Sequence, residues 1–398
     1  MTRLLVRDLE QVATPREHAR RTTVDLHERA FVLCRDGDVE AVGRMRDLRP
    51  LDGEVEEVDG RGLCALPGLV DCHTHPAWGG DRVEEFALRA RGASYEELHA
   101  AGGGILSTVR ATRALAEADL RERVERHAEW MLAHGTTTWE GKSGYGLDRD
   151  TELASLRAVR AAGGSPTWLG AHAVPPEFAD ADAYLDFALR EVLPEAARAA
   201  DAADVFLERG AFDADQARRY LSACGAAGLA LRLHGDQFTE SGAIPLAVEL
   251  GARSVDHLEA TGDDGIRALA ASGVVGVLLP ASALFLDRPM PPGRALLDAG
   301  AEVALATDFN PGSSFTTSLP LVCSLACTRM HLSVEEALCG ATVHAARVLG
   351  RDDVGRLAPG LRADVVLLDA PDWRYLAYHL AGDVVRAVIR GGRLAFRR

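Results

Sequence analysis

Eight short apolar runs recur through the middle of the chain, at residues 66–72, 135–140, 166–171, 203–208, 229–234, 253–258, 274–279 and 303–307. Longer amphipathic stretches, such as 119–133 and 213–227, separate most of them. Ala133-His134-Gly135 and Ala299-Gly300 read as helix ends, where glycine accepts the left-handed turn that satisfies the last carbonyls. Strand alternating with helix requires a parallel sheet covered by helices, and eight repeats point to a (β/α)8 TIM-like barrel. The rival, an open doubly wound sheet, lacks the Gly-x-Gly-x-x-Gly that would follow its first strand. Gly102-Gly103-Gly104 lies in a loop without the strand–helix flanks of a phosphate cradle, and reads as a tight loop beside a site.

Both ends of the chain carry a different pattern. Short alternating segments at 3–6, 31–34, 39–42 and 55–58 are punctuated by Gly37, Gly43, Gly53 and Gly60. The carboxyl end repeats this at 364–368 and 384–389, with a Gly391-Gly392 turn before 393–396. Such period-two stretches are strands, and neither set is long enough to bury a core alone. Residues 1–65 with 357–398 are therefore expected to form one composite β-sandwich domain beside a barrel of residues 66–356.

With 398 residues the chain can bury a large core, and its net charge of −15 excludes the basic face that nucleic acid or an anionic membrane needs. It leaves room for a small anionic substrate gripped by a single arginine. The amino terminus lacks a signal-peptide pattern, and no apolar run is long enough to span a bilayer. Seven cysteines, with no Cys-x-x-Cys, read as free thiols of a cytoplasmic protein. Lys142 is the chain's single lysine.

In a barrel the chemistry sits at the carboxyl ends of strands. Those positions carry His73 and His75; Glu140, Lys142 and Tyr145; His172; Glu208; His234 and Gln237; Asp256, His257 and Glu259; and Asp308, Asn310, Gly312 and Ser313. Only the seventh run, ending at Leu279-Pro280, offers no reactive side chain. His73 and His75, two apart on a strand, share a face, whereas Cys72, between the strand and its histidines, faces away from them and reads as a packed core thiol. A catalytic metal takes three or four nitrogen and oxygen ligands and keeps an open position. His73, His75, His234 and Asp308 supply such a set for one divalent ion, and zinc and iron both suit it. Asp308 is also placed to take a proton, with His257 as second base or shuttle. The remaining histidines, 18, 27, 99, 127, 134, 331, 344 and 379, fall on presumed helices, loops or the terminal domain and read as structural.

This constellation resembles the amidohydrolase superfamily of metal-dependent hydrolases. Gly79-Gly80-Asp81-Arg82, Gly102-Gly103-Gly104 with the following Ile-Leu-Ser-Thr, Lys142-Ser143-Gly144-Tyr145-Gly146, Gly170-Ala171-His172, and Thr307-Asp308-Phe309-Asn310-Pro311-Gly312-Ser313 are similar to its imidazolonepropionase branch. The resemblance implies opening of the cyclic amide of 4-imidazolone-5-propanoate to N-formimidoyl-L-glutamate, by a metal-activated water. It implies that Arg82 grips the propanoate carboxylate, with Tyr145, His172, Gln237, Asn310, Gly312 and Ser313 as further substrate contacts. Some relatives carry Glu where Gln237 stands; an amide cannot act as a base, so the proton work falls to Asp308 and His257. His344, where superfamily members usually carry Asn, is expected to affect packing and not chemistry. A homodimer is expected, as the commonest closed assembly. Deamination of a heteroaromatic ring and a non-catalytic scaffold are the competing readings.

Overall fold

The computed structural model describes residues 3–16, 23–92 and 103–398; His18, His99 and Gly102 lie outside the described residues. Five strands open the chain: β1 (Arg3–Pro15), β2 (Val24–Arg35), β3 (Asp38–Arg44), β4 (Glu56–Asp59) and β5 (Cys64–Pro67). Eight follow in the middle: β6 (Leu69–Asp71), β7 (Thr136–Lys142), β8 (Ser165–Ala171), β9 (Ala202–Leu207), β10 (Ala230–Gly235), β11 (Ser254–His257), β12 (Val275–Leu278) and β13 (Val303–Leu305). Three close it: β14 (Val365–Leu368), β15 (Val385–Arg390) and β16 (Arg393–Arg397).

The middle strands form one parallel sheet in chain order from β6 to β13. Its seam closes just beyond the strands. The Asp308 N–H donates to the His73 carbonyl at 3.0 Å, and the His75 N–H to the Phe309 carbonyl at 2.9 Å. Below this closure the helix Ala345–Leu349 covers the seam with Val70, Cys72, Val275, Val277, Ala304 and Ala306 in one apolar cluster. Cys72 thus packs in the core, on the opposite side of the strand from the histidines. His344, one residue before that helix, is buried, and its Nδ1 lies 2.7 Å from the Val303 carbonyl, a packing role as expected.

The terminal strands form a single mixed sheet, ordered β16-β15-β14-β5-β1-β2-β3, with β4 also paired to β1. Its apolar face gathers Leu4, Val6, Val12 and Val32 from one end of the chain with Val365, Leu367 and Ile389 from the other. Gly391 and Gly392 adopt φ of 54° and 71°, the left-handed pair that a two-residue hairpin turn needs.

One expectation needs correction. The run 66–72 is not a single barrel strand: its start belongs to β5 in the terminal sheet, and the barrel begins at Leu69. The division falls on Gly68. A Cβ there would lie 2.2 Å from Thr137 Oγ1 and 2.8 Å from the Asp364 Cβ, so only glycine lets the chain cross between the two sheets.

Candidate active site

The alternation of β6 and the residues after it sends Asp71 and His73 to the barrel interior, and His75 follows at the rim. His73 Nε2 lies 3.3 Å from His75 Nε2 and 3.5 Å from Asp308 Oδ1. His75 Nε2 lies 3.4 Å from His234 Nε2 and 3.4 Å from Asp308 Oδ1. Donors placed about 2.0–2.1 Å from one ion in a tetrahedral set are about 3.3–3.4 Å apart, so the spacing of His73, His75 and Asp308 fits a shared metal, and His234 adjoins them through His75. His73, His234 and His257 form a second close group that shares His73. All these side chains are buried.

The other ring nitrogen of two of these histidines is held from behind. His73 Nδ1 sits 2.6 Å from Asp256 Oδ2, and His234 Nδ1 sits 3.1 Å from Asp204 Oδ1. Such carboxylate–histidine pairs fix the tautomer and aim Nε2 at the ion. Glu140 adds a contact from below, accepting the Thr74 N–H at 3.2 Å. Two cations face these acids: Lys142 and Arg232, each with a nitrogen 2.7 Å from Glu140 Oε1. With the imidazoles neutral, the carboxylates of Glu140, Asp204, Asp256 and Asp308 outnumber these cations by two. A bound divalent ion, which requires neutral imidazole ligands, would balance that surplus.

Burial alone would raise the Asp308 carboxyl, but hydrogen bonds from His73 and His75 hold it well below the usual carboxylate range. Burial pushes His234 down to about 3 despite Asp204, and drives His172 well below its ordinary value. His73 runs the other way: burial and Lys142 oppose its protonation, yet Asp256 and Asp308 raise it to about 9.

The residues expected to touch substrate surround this centre. His172 stacks on His75 with ring centres 5.5 Å apart, and its Nδ1 lies 2.9 Å from the Gly144 carbonyl. Tyr145 packs with Trp78 and Phe309, its ring 5.3 Å from that of His172. Arg82 precedes the helix Val83–Ala90 and gives Nε and Nη2 to Glu85, at 2.7 and 2.5 Å. Its Nη1 lies against Gly312, where a Cβ would come within 2.8 Å. Asn310 spends its amide on its own loop: the oxygen accepts the Gly312 and Ser313 N–H groups at 2.8 Å, and the nitrogen donates to the Asp308 carbonyl. Ser313 Oγ reaches to 3.4 Å from Asp308 Oδ2. Gln237 lies in the loop after β10 and is nearly buried.

A family model described as the amidohydrolase family matches residues 64–395. The imidazolonepropionase of Rubrobacter xylanophilus is 61% identical over 409 aligned residues, covering 99% of this chain and 98% of that one. The imidazolonepropionase of Geobacillus kaustophilus is 43% identical, covering 96% and 93%. The chain belongs to the amidohydrolase family, among the imidazolonepropionases. Solved structures share the fold at lower identity. E. coli guanine deaminase superposes with a TM-score of 0.76 at 16% identity over the whole of both chains. Zinc-complexed atrazine chlorohydrolase TrzN of Arthrobacter aurescens TC1 gives 0.68 at 18%, covering 99% of this chain and 95% of that one.

The structure of this amidohydrolase also shows what strand-end reading overlooks. Asp204 and Arg232 lie inside apolar runs, each two or more residues before the strand end, and neither was singled out from sequence. A charge interrupting a barrel strand was the available signal. Glu208, read as a strand-end candidate, instead accepts the Phe238 and Thr239 N–H groups at 2.8 and 3.2 Å and braces the loop that carries Gln237.

Proposed function

We infer that this amidohydrolase hydrolyses the ring amide of 4-imidazolone-5-propanoate to N-formimidoyl-L-glutamate, a step of histidine degradation. The observation that carries the reading is the close group of His73, His75 and Asp308, with His234 Nε2 beside His75 Nε2 and Arg82 against Gly312, in a chain 61% identical to an imidazolonepropionase. A divalent cation, zinc or iron, held by His73, His75, His234 and Asp308 supplies Lewis acidity when bound, acidifying water and drawing charge from the ring carbonyl.

The side chains divide the remaining work. Asp308 is kept ionised by its imidazole neighbours, so it is ready to take the proton of the attacking water. His257, 5.8 Å from the His73 ring centre, is the group through which a proton passes to the leaving ring nitrogen. Arg82 offers its free Nη1 edge to the propanoate carboxylate, since Glu85 already fixes the rest of the fork. His172 donates Nδ1–H to the Gly144 carbonyl, which leaves Nε2 to accept from a ring N–H. Tyr145 walls the pocket, and Gln237 orients substrate or water by hydrogen bonding. Asn310 shapes the turn that presents Gly312 and Ser313.

Deamination is the second reading, favoured by the likeness to guanine deaminase in fold. Ring opening retains both substrate nitrogens, whereas deamination releases ammonia. Incubation with 4-imidazolone-5-propanoate should give N-formimidoyl-L-glutamate without ammonia. Stable substrate, together with ammonia release from an aminated heterocycle, would overturn the assignment. Among the described residues no helix is long and apolar enough to cross a membrane. The seven free cysteines support a reducing, cytoplasmic setting, and a homodimer completes the proposal.

A further inference from the structure

Lys142 is the chain's single lysine, and it lies wholly buried at the end of β7. Its ammonium sits 2.7 Å from Glu140 Oε1, 2.7 Å from Asp204 Oδ2 and 3.8 Å from Asp256 Oδ2. Each of those acids touches the metal-donor segment on its other side. Glu140 accepts the N–H of Thr74, the residue between His73 and His75. Asp204 holds His234 Nδ1, and Asp256 holds His73 Nδ1. One cation therefore stands at the hub of three carboxylates, which lead to two ligand histidines and the backbone between the first two.

The geometry points to Lys142 as a positioning residue that clamps Asp204 and Asp256 so that His234 and His73 present Nε2 to the metal. This rests on the metal-centre reading above and goes beyond it. The chemistry follows from what removal does. Without the ammonium, Asp204 and Asp256 lose the shared partner that holds them in place, and each carboxylate is free to turn away from its histidine. A turned carboxylate no longer fixes its histidine's tautomer. Arg232 does not replace the missing charge, because its guanidinium is held by Glu140, Thr167 and the Val348 carbonyl. A longer, planar guanidinium at position 142 would also have no space in a fully buried pocket, so Lys142→Arg is not a conservative exchange.

The test is zinc affinity of the full chain, measured by competition with a chelator, for wild type, Lys142→Met, Asp204→Asn and the double variant. Outer carboxylate partners typically change metal affinity by about 10–100-fold. Lys142→Met should lose that much, and the double variant should bind no more weakly than the product of the singles would allow, falling near the weaker single alone. Equal zinc affinity in wild type and Lys142→Met, with only the melting temperature of the metal-free protein reduced, would leave Lys142 a simple charge neutraliser and overturn the proposal. Full multiplicative losses would overturn it too, since they separate Lys142 from Asp204. Wild type that takes up no zinc removes the metal-centre reading itself, a failure distinct from the other two.

Should Lys142→Met not fold, the wild-type chain answers alone. Labelling with 15N-lysine gives one side-chain ammonium signal from this protein. A zinc-induced shift of that signal is expected from a hub joined to the ligand histidines. An unchanged signal on saturation with zinc would contradict the assignment.

Discussion

The Asp308 N–H donates to the His73 carbonyl across the barrel seam at 3.0 Å, while the side chains of the same two residues stand 3.5 Å apart in a group that could hold a metal ion. Closure of the barrel and assembly of the site are thus the same event. The backbone at Asp308 has φ of 53°, the left-handed region that asparagine tolerates far better than alanine.

Two substitutions at that position should therefore separate chemistry from folding. Asp308→Asn should lower turnover by about 10²–10⁴-fold or more, the range expected for loss of a proton-transfer group, with little change in melting temperature. Asp308→Ala should lose activity similarly and cost about 1 kcal/mol more in stability. Steady-state rates and urea unfolding of both variants provide the check; near-normal turnover of Asp308→Asn would remove it from the proton path.

Gly312 is a glycine because Arg82 lies on it. A methyl group there meets Nη1 at 2.8 Å, and the guanidinium, as the end of a flexible side chain, is the part that moves. Gly312→Ala should raise KM for 4-imidazolone-5-propanoate by about 10-fold, the effect of about 1.4 kcal/mol lost from a charge-assisted contact, with kcat much less affected. A fall in kcat at constant KM would place the loop in the chemical step instead.

At the crossing between the two sheets, Gly68→Ala should destabilise the protein by about 1–3 kcal/mol, the usual cost of overpacking. Thr137→Ala removes two of the atoms that the new methyl would strike. The double variant should recover part of the loss in urea unfolding; additive losses would show that the strain lies elsewhere.

His127 gives a pH dependence of stability. It is buried, stacked on Trp78, with Nδ1 2.8 Å from the Pro76 carbonyl, and burial pushes it down to about 4. An unfolded histidine titrates near 6.5. Above that value both states are neutral and nothing is lost. As pH falls, the unfolded chain takes up the proton first, so stability falls through the window from about 6.5 to about 4. Between pH 7 and pH 5 wild type should lose about 2 kcal/mol more than His127→Gln, which keeps a donor for Pro76 but does not titrate. Parallel pH profiles for the two proteins would contradict this.

The barrel and the convergence of His73 and His75 were legible because both obey simple periods. Apolar runs of strand length mark the wall, and the spacing of His73 and His75 places them on one face. The seam was not legible, because nothing in the runs 66–72 or 303–307 says that closure uses His73, His75, Asp308 and Phe309 backbone groups. The split at Gly68 was missed for a related reason: two strands of different sheets read as one when only a glycine divides them. Asp204, Arg232 and the role of Lys142 stayed hidden because each charge looks like an interruption until the others are seen opposite it. Arg82 is proposed from its motif alone, and Glu85, which takes two edges of its fork, comes into view only when the first turn of the helix is built.

Metal titration of turnover tests the central claim most directly. Enzyme stripped by a chelator is expected to be inactive towards 4-imidazolone-5-propanoate, and zinc or iron should restore activity linearly up to one equivalent per chain, with no restoration in His234→Ala. Full turnover by the stripped wild-type enzyme, or a rise that continues well past one equivalent, would contradict a single catalytic ion held by His73, His75, His234 and Asp308.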